Sequence, residues 1–138
     1  MAAKDVDHKQ VRRALEKDGW TVTDDPLALS WGKTGVKIDL GLERLLAAEK
    51  DTRKIAVEIK SFLSRSRIDD LEHALGQLVL YRHVLRRQQP ERELFLAVRE
   101  NVYLQFFALA HVEELLKEEA IRLIVFNTQT EEILKWIP

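Results

Sequence analysis

Lys54-Ile55-Ala56-Val57-Glu58-Ile59-Lys60 is the most strand-like run in this chain. Ile55, Val57 and Ile59 alternate with Ala56, Glu58 and Lys60, so the two sets point to opposite faces of a sheet. The strand is expected over residues 54–62. Glu58 and Lys60 are two residues apart and share a face. A carboxylate among such apolar neighbours is costly to bury unless it is paired or holds a metal ion.

The elements on either side give the strand its setting. Residues 64–67 are polar and break it. Residues 68–88 read as a long amphipathic helix, with Ile68, Leu71, Leu75, Leu78, Val79 and Leu85 as its apolar stripe and Pro90 behind it. Leu94-Phe95-Leu96-Ala97-Val98, within 93–99, is nearly all apolar, as in a central strand covered on both faces. Residues 101–120 are helical in two pieces, 121–126 form another buried strand, and 133–137 pair with it or lie at an edge. Upstream, 5–19 reads as a helix stopped by Gly19. Residues 22–31 hold turn residues and then a short strand through Leu27, Leu29 and Trp31. A turn at 32–35 leads to a half-buried strand with Val36, Ile38 and Leu40, and 45–49 continues extended. Asp51-Thr52-Arg53 reads as a hairpin connection. The fold class is α/β, one domain over residues 1–138, with a mixed sheet flanked by helices.

Composition narrows the class. The 138 residues hold 22 basic and 23 acidic side chains, for a net charge of −1. That balance argues against binding nucleic acid through bulk charge, although a local basic surface is compatible with it. There is no cysteine, which removes disulfides, thiolate zinc sites and cysteine nucleophiles together. The charged start and the short apolar runs imply no signal peptide and no membrane span, and the expected location is cytoplasmic.

Asp39 sits on the polar face of a second strand, nineteen residues before Glu58. Two carboxylates and a lysine can form a phosphodiester-cleaving site. The carboxylates suit Mg²⁺, a hard cation that prefers oxygen ligands. The metal activates a water and the ammonium orients it or stabilises charge on phosphorus. Strand register bears on this assignment. If Lys50 pairs with Lys54 across a tight turn, Glu58 faces Leu46, seven residues beyond Asp39 and roughly 23 Å away along an extended chain. The two acids then meet only if 41–44 bends, for which Gly41 is suited. Otherwise Glu43 takes the role of first acid.

Asp39 followed by Glu58-Ile59-Lys60 resembles the PD-(D/E)XK nuclease pattern of the restriction-endonuclease-like fold, with Ile38 where that pattern has proline. The resemblance implies Asp39 and Glu58 as metal ligands, the Ile59 carbonyl as a further one, and Lys60 as the lysine. Gln77 and Tyr81, one helical turn apart on one face, resemble the Gln-x-x-x-Tyr motif of RecB-like nucleases and would support the site or the DNA strand. A closer resemblance spans nearly the whole chain. Lys17-Asp18-Gly19-Trp20, Ile38-Asp39-Leu40-Gly41, Ala47-Ala48-Glu49-Lys50, Val57-Glu58-Ile59-Lys60-Ser61-Phe62 and the ending Trp136-Ile137-Pro138 are similar to the XisH family of cyanobacterial fdxN element excision controlling factors. That resemblance implies a role in programmed DNA excision during heterocyst differentiation, with a site-specific recombinase and an XisI-type companion as partners.

Plainer readings stand beside these. Glu58 and Lys60 can be a surface pair, and Gln77 and Tyr81 an ordinary polar patch. His8, His73, His83 and His111 show no ligand spacing, and His73 borders the site at most. Asp5 and Asp7 suit the dipole of the first helix. Arg65, Arg67, Arg82, Arg86 and Arg87 are candidates for phosphate contacts, yet Arg86 and Arg87 also suit a helix C-terminus. Trp136 and Ile137 suggest a docked end strand where copies of the chain would meet. The function expected first is a DNA-acting excision factor with an Mg²⁺-dependent endonuclease-like site. The alternatives are a non-catalytic accessory protein binding DNA, the recombinase or XisI, and a nuclease toxin neutralised by XisI.

Overall fold

A computed structural model of the chain describes residues 6–46 and 51–138. The order is α1 (His8–Lys17), β1 (Thr21–Asp24), β2 (Leu27–Trp31), β3 (Thr34–Ile38), β4 (Leu40–Leu46), β5 (Asp51–Ile59), α2 (Arg67–Gln88), β6 (Arg92–Arg99), α3 (Glu100–Val102), a π-helical turn (Tyr103–Phe107), α4 (Ala110–Glu118), β7 (Arg122–Asn127) and β8 (Glu132–Ile137). The main sheet has six strands in the order β1-β4-β5-β6-β7-β8, and β2 and β3 form a separate hairpin. The β5–β6 and β6–β7 pairs are parallel, crossed over by α2 and by the α3–α4 segment, whereas β4–β5, β1–β4 and β7–β8 are antiparallel. The fold is therefore mixed α/β, with a mixed sheet between helices, as expected.

The alternation read in β5 has both faces covered. Ile55, Val57 and Ile59 join Leu40, Leu42, Phe95 and Ile124 beneath α1, which contributes Val11 and Leu15. Trp20 and Trp136 close that layer with ring centroids 5.7 Å apart, and the Trp136 ring meets Phe95 edge-on, so the C-terminal strand is docked. On the other face Ala56 lies under the hairpin and α2, with Leu27, Ile38, Tyr81 and Val84. Leu96, Val98, Leu123 and Val125 lie under α2, the π turn and α4.

Several expected elements are displaced. Asp51-Thr52-Arg53 belongs to β5 and is not a hairpin connection, and the strand ends at Ile59 rather than at 62, with Phe62 at φ 55°. Residues 22–31 hold two strands in different sheets, not one. The buried stripe of α2 is Leu71, Ala74, Leu78, Tyr81, Val84 and Leu85, while Ile68 and Val79 are exposed. The hairpin wraps a second flank of α2, so an apolar face read from spacing alone is rotated toward the sheet. Asp5 and the stretch 47–50 lie outside the described residues.

The register expectation is overturned. Lys54 pairs with Glu43, not Lys50, and the ladder runs regularly from Leu40↔Val57 to Leu46↔Asp51. Leu40 facing Val57 brings the preceding residue, Asp39, level with Glu58 without a bulge in this ladder. The irregularity near Gly41 lies on the other side, between β1 and β4. A side chain at Gly41 would be crowded there: a Cβ would lie 3.0 Å from Asp24 Oδ2 and 3.2 Å from Arg92 Nη1. Glu43, four ladder positions from Glu58, is roughly 13 Å along the strand, too far for both carboxylates to hold one ion.

Candidate active site

Asp39 occupies the bend between β3 and β4, where the chain leaves the hairpin and enters the main sheet. Glu58 is the penultimate residue of β5. Their contacts are reciprocal. The Asp39 N–H donates to Glu58 Oε1 at 3.2 Å, and the Ile59 N–H donates to Asp39 Oδ2 at 2.8 Å. Each carboxyl is thus anchored by the backbone of the other's strand. The Lys60 N–H donates to the Ala97 carbonyl at 3.2 Å, which extends the β5–β6 ladder by one residue and keeps Lys60 on the face of Glu58.

The electrostatics are those of a crowded acid pair. Burial first, and then the neighbouring Asp39 charge, raise the Glu58 carboxyl from 4.5 to about 8 against the opposing pull of Lys60. Burial also raises Asp39, opposed by the Ile59 N–H, then by His8, Glu58 and Lys60. Glu58 is 4% exposed, whereas Asp39 and Lys60 are half-buried. The pair is thereby open to solvent from the Asp39 and Lys60 side, and both carboxyls are held above their ordinary range.

Gln77 and Tyr81 project from α2 toward this pair. The Gln77 Nε2–H donates to the Tyr81 hydroxyl at 3.3 Å. Burial, with the negative charge of Glu58 and Asp39, pushes the Tyr81 hydroxyl up to about 12. Tyr81 therefore feels both carboxyls and stays protonated as a donor. Gln77 Oε1 is buried without a partner among the described residues.

His8 carries influence that its spacing did not signal. It is 3% exposed, its Nε2 lies 2.7 Å from Asp25 Oδ1, and its charge acts on Asp39. Arg12 holds the other Asp25 oxygen at 2.6 Å. Asp7, expected as a partner of the first helix's dipole, directly precedes α1, is 1% exposed and is bidentate to Arg99 at 2.7 Å on both oxygens. Since Arg99 ends β6, this pair fixes the start of α1 at the carboxyl ends of the parallel strands, beside the acids. No sequence spacing could signal partners 17 and 92 residues apart. His73 is exposed.

Asp39 and Glu58 are the residues that could hold a hard divalent cation. No cluster of three or more His, Cys, Asp or Glu side chains suited to a metal occurs among the described residues, so Asp39 and Glu58 are the whole carboxylate donor set there. Two carboxylates with the remaining positions taken by water and a carbonyl is the donor set Mg²⁺ prefers. A cation would also relieve the cost that keeps Glu58 protonated.

Comparison with known proteins points one way. The family model described as XisH protein matches residues 1–134. Solved structures similar to this chain include an XisH family protein from Nostoc punctiforme PCC 73102, 44% identical with a TM-score of 0.87, covering 97% of this chain and 100% of that one. Another is an fdxN element excision controlling factor protein from Anabaena variabilis, 41% identical with a TM-score of 0.85, covering 95% of this chain and 97% of that one. A search of curated proteins gives no match.

Proposed function

The chain belongs to the XisH family, and on that premise we propose that it is a DNA-acting controlling factor of fdxN-type excision with an Mg²⁺-dependent, endonuclease-like site. The reading treats residues 1–138 as one restriction-endonuclease-like domain of the PD-(D/E)XK type. Its location is cytoplasmic; no helix among the described residues is long and apolar enough to cross a membrane. Its partners are DNA, an XisI-type companion, a site-specific recombinase and a second copy of itself. The observation that carries it is the reciprocal locking of Asp39 and Glu58 at adjacent strand ends, with Lys60 on the same face.

In this reading Asp39, Glu58 and the Ile59 carbonyl would hold Mg²⁺. The bound ion supplies a water of lowered pKa and stabilises charge on the phosphate. Lys60 orients the attacking water and offsets the developing negative charge. Tyr81, kept neutral by its surroundings, donates to a phosphate oxygen or holds the strand, and Gln77 positions its hydroxyl. The Asp39 backbone and the Ile59 N–H keep the carboxyls from turning away before the ion arrives.

Cleavage of supercoiled plasmid and of oligonucleotides with Mg²⁺ or Mn²⁺ tests this. Asp39→Asn, Glu58→Gln and Lys60→Met should each lower the rate by about 10²-fold or more with folding intact. Undiminished cleavage in all three would exclude the site. One observation favours the accessory reading: the Glu58 carboxyl is buried, held above its ordinary range and hydrogen-bonded by the Asp39 N–H, an arrangement that is satisfied without a metal. In that case the three variants leave excision unchanged in cells.

A further inference from the structure

A second constellation lies at the opposite ends of the parallel strands. Between the C-terminal half of α2 and the segment joining α4 to β7 is a cleft of about 230 Å³. Arg82 and Arg86 enter it from α2, and Arg92 and Arg122 from the starts of β6 and β7, over a floor that includes Leu78 and Leu85. We propose that this cleft binds a phosphate-bearing ligand through Arg82, Arg86 and Arg122. The site is independent of the acid pair. Arg92 begins a strand whose Leu96 lies beside Glu58, four residues and roughly 13 Å away.

The arginines differ in how far they are already engaged. Arg92 is occupied: it donates to the Ile55 and Leu42 carbonyls at 2.8 and 3.3 Å and pairs with Asp24 at 3.4 Å. Arg82 uses only Nη1, on the Glu119 carbonyl at 2.6 Å, and keeps its other N–H groups. Arg122 has one ion pair, Nε to Glu93 Oε2 at 3.9 Å, beyond hydrogen-bond length. Glu93 meanwhile accepts a hydrogen bond from Arg53 at 3.0 Å. Arg86 has no hydrogen bond or ion pair among the described residues. Three guanidinium groups with donors to spare thus face one shared carboxylate, in a chain of net charge −1.

That excess repels itself unless an anion is present. The buried floor lowers the local dielectric and strengthens both the repulsion and any attraction. The C-terminal dipole of α2 disfavours an anion, but by less than one charge-assisted guanidinium contact favours it. Planar, multidentate donors select phosphate oxygens. The volume equals that of about eight waters, enough for a phosphate with its sugar and too small for a duplex. The ligand presents its phosphate at an end or an edge, as a nucleotide or the backbone of a nucleic-acid strand does.

The test titrates inorganic phosphate, a deoxynucleoside monophosphate and a single-stranded oligodeoxynucleotide into the full chain by calorimetry at low salt. Wild type is compared with Arg86→Gln, with Arg86→Gln/Arg122→Gln, and with Lys37→Gln, an exposed cation of β3 outside the cleft, as a control. Neither Arg86 nor Arg122 makes a hydrogen bond among the described residues, so the variants should fold, as circular dichroism will check. The double variant should bind inorganic phosphate at least about tenfold more weakly, with Arg86→Gln intermediate and Lys37→Gln unchanged. If the oligonucleotide weakens in parallel, and its log K against log salt slope falls by about 1.4, the ligand is a nucleic-acid backbone. If only phosphate and the monophosphate weaken, it is a free nucleotide or phosphate. Equal affinity of wild type and the double variant for all three probes overturns the proposal. So does an absence of phosphate binding by wild type at about 10 mM.

Discussion

Glu58→Gln separates a protonated acid pair from an ordinary ion pair with Lys60. The carboxyl of Glu58 stands at about 8 in the folded chain against 4.5 in the reference state. The folded state therefore holds this proton more tightly than the unfolded chain does. Its stabilising contribution is complete below about pH 4.5 and is lost as pH rises toward about 8. At pH 7 the wild type has forfeited about 3 kcal/mol relative to pH 4.5, an upper figure because Asp39 shares the proton. Glutamine reproduces the neutral form. Its Oε1 accepts the Asp39 N–H and its Nε2–H donates toward the Asp39 carboxylate, with no titration. Thermal unfolding from pH 5 to pH 9 should show the two proteins close together at pH 5. The variant should pull ahead by up to about 10 °C at pH 7, taking about 3 °C per kcal/mol for a domain of this size. Mg²⁺ should raise the melting temperature of the wild type and narrow that gap, because it binds the ionised pair only. Parallel curves for the two proteins across the whole range would mean that Glu58 is ionised in the fold and that Lys60, not burial, governs it.

Other perturbations probe the frame that holds the site. Arg99→Leu removes two 2.7 Å contacts from an Asp7 that is 1% exposed, and should cost about 3 kcal/mol in urea denaturation. Phe107→Ala empties a position 1% exposed, against which Phe62 packs edge-on at 5.1 Å, and should cost about 3–5 kcal/mol by the same measurement. The glycines should split in sign. Gly76→Ala, within α2 with nothing in 4 Å of the added Cβ, should stabilise by about 0.5–1 kcal/mol. Gly41→Ala, crowded by Asp24 and Arg92, should destabilise by about 1–2 kcal/mol in thermal melts.

Much of this was legible in the chain because strand and helix periods are local properties. Alternation identified β5, the continuous apolar run identified β6, and apolar spacing with Pro90 behind it bounded α2 to within a residue. The same locality limited the reading. Thr21–Asp24 carries one apolar residue and is only partly covered, so local pattern does not signal β1. Spacing puts Ile68 and Val79 on the apolar stripe, yet both are exposed, because it shows which residues share a stripe and not which flank a hairpin from elsewhere covers.

For the site, the sequence by itself determined which chemistry was available: Asp39 near the end of one strand pattern, Glu58 and Lys60 on one face of another. Only the tertiary structure decided that Asp39, and not Glu43, faces Glu58. Register depends on where a hairpin turns, and a slip there moves every cross-strand partner at once, while the local alternation of each strand stays unchanged. The same holds for His8 beside Asp25 and for the arginines gathered at the far end of the sheet. Their charges interact through space across long stretches of chain, and no spacing rule encodes a distance that only packing creates.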